Sequence, residues 1–112
     1  MVRPAKFEIQ QTVHGRSAIL ALVGELDMRT AGQLLDRLAE QRANGVTDVT
    51  VDLAKLSFMD SSGLKALIDM HDRARAEAWE LRMIAPEYEA AALVLRVTGA
   101  DKALPFKQTA PS

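Results

Sequence analysis

The 112-residue sequence predicts a single α/β domain. The expected architecture is a mixed sheet of four to five strands, the first hairpin antiparallel and the rest largely parallel, with about three main helices packed against it. Three observations predict this. The hydrophobic period switches repeatedly between two and 3.6 residues, so strand-like and helix-like segments alternate. No repeat or internal linker breaks that pattern, and the length suits one hydrophobic core. The segment order β-β-α-β-α-β-α-(β) joins most strands through helices, a connection that makes neighbouring strands parallel. Residues 1–112 therefore form one domain with a core at about 6–108, and the ends 1–5 and 109–112 read as loose.

In the first strand, Phe7, Ile9 and Val13 alternate with polar residues, with Gln11 the polar exception on that face. His14-Gly15-Arg16 supplies a turn, and the continuous apolar run Ala18 to Val23 makes a second, deeper strand. Gly24-Glu25-Leu26-Asp27-Met28-Arg29 leads into Thr30-Ala31-Gly32-Gln33, which matches a capping box. The first helix then repeats Ala31, Leu34, Leu35, Leu38 and Ala39 at helical spacing, and Gly45 after Asn44 fits a left-handed stop. Val49, Val51 and Leu53 alternate in a third strand, and Ser57 to Asp60 reads as a loop into the second helix. That helix carries the stripe Leu64, Leu67, Ile68, His71, Ala74 and Ala78. Glu80 to Ala85 forms a fourth strand closed by Pro86, a third helix runs from about Glu87 to Val97 and ends at Gly99, and Leu104 to Lys107 suits a short terminal strand.

Composition excludes several classes of function. Apolar residues make up 48% and charged residues 26%, ordinary values for a globular domain. Fourteen basic against fifteen acidic residues leave a net charge of −1, which offers no bulk attraction to nucleic acid or anionic membrane. Absence of cysteine removes disulfides, thiolate metal sites and a cysteine nucleophile, and suits a reducing cytoplasm. The longest apolar run is far too short to span a bilayer, and the N-terminus lacks a signal-peptide core. No enzyme motif is present: Gly-x-Ser-x-Gly and a P-loop are both missing. His71 lies about 13 Å beyond Ser62 along one helix, too far to act as its base. The carboxylates Asp27 and Asp60 suit capping and surface polarity better than a cation site. No cofactor or metal is expected.

The informative stretch is Val51-Asp52-Leu53-Ala54-Lys55-Leu56-Ser57-Phe58-Met59-Asp60-Ser61-Ser62-Gly63-Leu64. Asp60 or Ser61 can cap the helix, because their oxygens accept from the free amides of its first turn. Ser62 then falls within that turn at the carboxyl edge of the sheet, where open α/β sheets build their sites. Gly63 removes a side chain beside Ser62, which suits close approach by another protein. Asp-Ser-Ser is also ordinary capping chemistry. The unusual feature is Phe58-Met59, two large apolar residues in a loop, where exposure is costly unless they pack or dock.

Phe58-Met59-Asp60-Ser61-Ser62-Gly63-Leu64, with Asp52-Leu53 and Leu56 before it, resembles the signature of the STAS domain, and more narrowly of the bacterial anti-sigma factor antagonists. Gly24-Glu25-Leu26-Asp27, Leu81 to Pro86 and Leu95 to Pro105 resemble further family segments in the same order, so the likeness covers roughly residues 6 to 108. Lys65 departs from a position often held by a small residue, and Ala78-Trp79 replaces a common glycine-rich turn. The resemblance implies a cytoplasmic switch protein and not an enzyme. Its unmodified form would bind an anti-sigma factor that is itself a serine kinase of the GHKL ATPase type. Phosphorylation at Ser62 would end that binding, and a metal-dependent serine phosphatase would restore it. The expected partner-binding residues are Asp27, Met28, Phe58, Met59, Asp60, Ser61, Ser62, Gly63 and Lys65. The alternative is a constitutive STAS interaction scaffold, in a stress-signalling or lipid-transport complex, that phosphorylation does not regulate.

Overall fold

A computed structural model describes residues 6–107; the two ends read as loose lie outside the described residues. Strand β1 (Phe7–His14) turns through Gly15-Arg16 into β2 (Ser17–Leu26), and His14 pairs with Ser17 to close the antiparallel hairpin. Helix α1 (Ala31–Ala43), strand β3 (Asp48–Met59), helix α2 (Ser61–Glu77), strand β4 (Glu80–Ile84), helix α3 (Glu89–Thr98) and the single turn α4 (Ala100–Ala103) follow. The sheet order is β1-β2-β3-β4, with β2–β3 and β3–β4 parallel. This is the mixed sheet the segment order predicts.

One face of the sheet presents Ala18, Leu20 and Leu22 beside Val49, Val51 and Leu53, then Leu81 and Met83, all buried. Leu34 and Leu38 of α1, Leu67, Met70 and Ala74 of α2, and Ala91 and Leu95 of α3 complete the core. At roughly 1.5–3 kcal/mol for each large apolar side chain removed from water, this layer is the main favourable contribution to folding.

Five details depart from the pattern read in the sequence. Thr30 is not a capping-box residue: α1 has no side-chain cap, and the Thr30 hydroxyl instead donates to the Glu25 carbonyl at 2.8 Å and accepts from the Asp27 amide at 2.9 Å. The α1 core arc runs through Leu34, Leu38 and Gln41, with Leu35 partly buried and Ala39 exposed. On α2 the buried positions are Gly63, Ala66, Leu67, Met70 and Ala74, while Ile68 is exposed and His71 half-buried. Both stripes satisfy helical spacing, so packing against the sheet chooses between them. The segment Leu104–Lys107 is not a strand but makes one parallel bridge, Phe106 to Met83, fastened by Met83 N–H to Pro105 O and Lys107 N–H to Met83 O.

The fifth departure matters most. Ser57–Met59 is not a loop, because β3 runs on to Met59. Along β2 and β3 the register slips twice, between Ala21 and Val23 and between Gly24 and Glu25. Each slip adds one residue to β3, as a β-bulge does. The buried positions therefore go Val51, Leu53, Leu56, Met59, a spacing of two and then three. That change of spacing conceals the strand from a simple alternation rule. Asp52 Oδ1 accepts from the Ala54 amide at the first irregularity, and Ser57 Oγ donates to the Gly24 carbonyl at 3.0 Å near the second.

Candidate functional site at the start of the second helix

The parallel strands β2 and β3 end side by side, Glu25 opposite Phe58 and Leu26 opposite Met59. The chain leaves β3 at Asp60 and enters α2 at once. Asp60 is extended (φ −106°, ψ −172°), and its Oδ1 accepts from the Gly63 amide at 3.0 Å, so Asp60 and not Ser61 caps the helix. Ser61 is exposed and Ser62 half-buried in the first turn. Because Asp60 fills the capping role, that role does not occupy the Ser62 hydroxyl.

The loop after β2 forms the other wall. Asp27 is buried, and its carboxylate accepts from the Arg29 amide at 2.9 Å and from Arg29 Nη2 at 2.8 Å. The Arg29 guanidinium donating to Asp27 holds that carboxyl below the usual carboxylate range, against the opposing effect of burial. Between Asp27 and Arg29, Met28 stands 78% exposed, the most exposed large apolar residue among the described residues. Phe58 at the end of β3 is 42% exposed, and Lys65 lies exposed one turn beyond Ser62 on the same helix face. Met28, Phe58, Ser61, Ser62 and Lys65 are thus all accessible at one edge of the domain, with Asp60 half-buried among them.

Met59 and Gly63 do not belong to that surface. Met59 is fully buried, because the bulged register turns it into the core and Phe58 outward. Gly63 is buried as well, and a Cβ there would lie 2.3 Å from the Leu26 carbonyl oxygen. The close approach that requires glycine is therefore by β2 of the same chain and not by a partner. Asp27, also buried, acts by holding Arg29 and the loop. The sequence reading takes Thr30 for a helix cap and gives Arg29 no role at the site. Asp27 followed two residues later by Arg29 and three later by Thr30 is the spacing of a side-chain-to-backbone turn, which would have flagged them. The Ala78-Trp79 departure is local packing: Ala78 adopts a left-handed conformation, and the buried Trp79 ring sits 5.0 Å beneath the Arg42 guanidinium.

The family model described as "Mlab, STAS domain" matches residues 9–106. The chain belongs to the STAS domain family. The anti-sigma-F factor antagonist RsfB of Mycobacterium tuberculosis is 33% identical to this STAS domain over 67 residues, covering 60% of the chain and 55% of RsfB. The chain thus spans about half the length of that relative. A crystal structure of an anti-sigma factor antagonist from Mycobacterium paratuberculosis shares the fold with a TM-score of 0.80 at 23% identity, over 98% of this chain and 92% of that one. SpoIIAA shares it at 22% identity in both solved forms. The unphosphorylated form has a TM-score of 0.73 over 90% of this chain and 89% of that one. The phosphorylated form, from Bacillus, has 0.66 over 92% of each.

Proposed function

We propose that this STAS domain is an anti-sigma factor antagonist that works by partner switching in the cytoplasm. The unphosphorylated form binds an anti-sigma factor of the GHKL serine kinase type and so frees the sigma factor. The kinase phosphorylates Ser62, binding ends, and a metal-dependent serine phosphatase resets the switch. One observation carries the reading: Ser62 stands in the first turn of α2, not consumed by capping, at the sheet edge where β2 and β3 end and where Met28 and Phe58 are exposed. The antagonist relatives support it.

The physics suits a switch that acts outward. A phosphate adds about −1.5 to −2 charges at neutral pH. At a helix start, the dipole and free amides favour negative charge by roughly 0.3–1 kcal/mol, so the fold tolerates the modification. Across an interface, juxtaposed like charges cost several kcal/mol, and about 3 kcal/mol weakens binding more than a hundredfold.

The test compares wild type, Ser62→Ala and Ser62→Asp as baits in lysate of the source organism, with captured proteins identified by mass spectrometry. The reading requires a GHKL-type kinase held by wild type and Ser62→Ala and lost with Ser62→Asp. That purified kinase must also place one phosphate on wild type and none on Ser62→Ala. Met28→Ala, Phe58→Ala and Lys65→Glu should each weaken capture; a variant that binds the kinase unchanged removes its residue from the docking surface. If all three Ser62 baits retain the same partners, Ser62 is only part of a helix start and the domain is a constitutive scaffold.

A further inference from the structure

We infer that Arg29 binds the phosphate on Ser62 in the modified state, exchanging Asp27 for the phosphoryl oxygens; this rests on the proposed modification of Ser62.

The geometry brings the two segments to the same end of the sheet. Leu26, the last residue of β2, accepts a hydrogen bond from the Asp60 amide at 3.2 Å, and its carbonyl lies against Gly63. The root of the loop that carries Arg29 is therefore locked to the residues on either side of Ser62. The Asp27 side chain is 10% exposed, whereas that of Arg29 is 61% exposed, so the guanidinium lies at the surface over the buried carboxylate. Its Nη2 donates to Asp27, and a guanidinium has five N–H donors in a fork that matches phosphate. Arg29 is held above its ordinary range first by Asp27 and also by Glu25 and Asp60, which sets it in the field of the carboxylate that caps α2.

Charge at the site points the same way. Glu25 and Asp27 from β2 and its loop, together with Asp60 from the helix cap, place three carboxylates in the field of Arg29 at this end of the sheet. Arg29 and Lys65 are the cations within this group of residues. Lysine is a hydrated point charge on a flexible stem, while arginine offers a planar, bidentate grip. A guanidinium that turns to the phosphate leaves Asp27 Oδ2, while the Arg29 amide keeps its bond to Asp27 Oδ1 and the loop its backbone frame.

The test uses the full chain with phosphoserine installed at position 62 during translation, and reads the second phosphate pKa by phosphorus-31 NMR titration. In wild type that pKa should fall below the usual value of about 6. Arg29→Ala and Arg29→Gln should each raise it by roughly half a unit or more, with Arg29→Lys between them and wild type. Lys65→Ala should shift it less. The Arg29 side-chain N–H signals of wild type should move on going from serine to phosphoserine. If Arg29→Ala and Arg29→Gln shift the phosphate no more than Lys65→Ala does, or the Arg29 signals stay put, the inference fails. Because translation supplies the phosphate, this result is independent of whether any kinase modifies Ser62. A kinase that ignores Ser62 overturns the proposed function, and the titration still decides the role of Arg29.

Discussion

The carboxylate of Asp27 organises the β2–α1 loop through bonds to the Arg29 amide and guanidinium. Its folded pKa is depressed, so its contribution to stability is complete above the unfolded carboxylate pKa of about 3.9 and is lost as pH falls through the lower folded value. Asp27→Asn should therefore destabilise the domain at neutral pH and remove part of the acid-side slope; denaturant midpoints measured between pH 7 and pH 3 check this. An unchanged slope would show that Asp27 is not linked to folding. Gly63 makes a steric demand. A methyl group 2.3 Å from the Leu26 oxygen and 3.0 Å from its Cγ must push β2 and α2 apart. Gly63→Ala should cost about 1–3 kcal/mol in chemical denaturation, the usual cost of overpacking, although alanine is the better helix former.

Element ends show where local chemistry is satisfied and where it is strained. Helix α2 begins on the Asp60 cap and ends on Ala78, which holds φ +58° and ψ +48°, a left-handed conformation that ordinarily favours glycine. Trp79 then turns under Arg42, with its Nε1 donating to Glu77 at 3.2 Å. Since Ala78 is exposed and its cost lies in its own backbone, Ala78→Gly should stabilise the domain by about 0.5–1 kcal/mol despite glycine's greater unfolded freedom. A thermal melt measures this as a rise of several degrees. A lower midpoint would mean that the alanine methyl packs in some compensating way. The end of β3 differs again. Its two bulges place Phe58 outside and Met59 inside, which fixes which of the two apolar side chains reaches the surface.

Across the whole molecule the proposed docking edge and the core are nearly independent. The edge residues Met28, Phe58, Ser61, Ser62 and Lys65 stand outside a core that α1, α2 and α3 build on the sheet. Adding charge at Ser62 should therefore leave the fold intact. Ser62→Asp should keep the wild-type denaturant m-value and change stability by no more than about 1 kcal/mol, because helix-start stabilisation opposes repulsion from Asp60. A large loss of stability or a changed m-value would mean that negative charge at Ser62 remodels the domain and does not simply recharge its surface.

The sequence by itself determined the element order, the antiparallel hairpin, the parallel crossovers and the place of Asp60-Ser61-Ser62 at a helix start. Those features depend on hydrophobic period and turn chemistry, which are properties of neighbours along the chain. The tertiary structure alone decided the rest. Two equally helical stripes on α2 were resolved by packing against the sheet. Register slips against β2 turned an apparent loop into strand and Met59 into core, and Gly63 met Leu26 from a strand far away in sequence. Thr30 exchanged a helix cap for the Glu25 carbonyl. Local pattern shows which segments are amphipathic and which residues can cap a helix, as Asp60 does for Gly63 three residues on; the choice of buried face is made by contacts between segments distant along the chain.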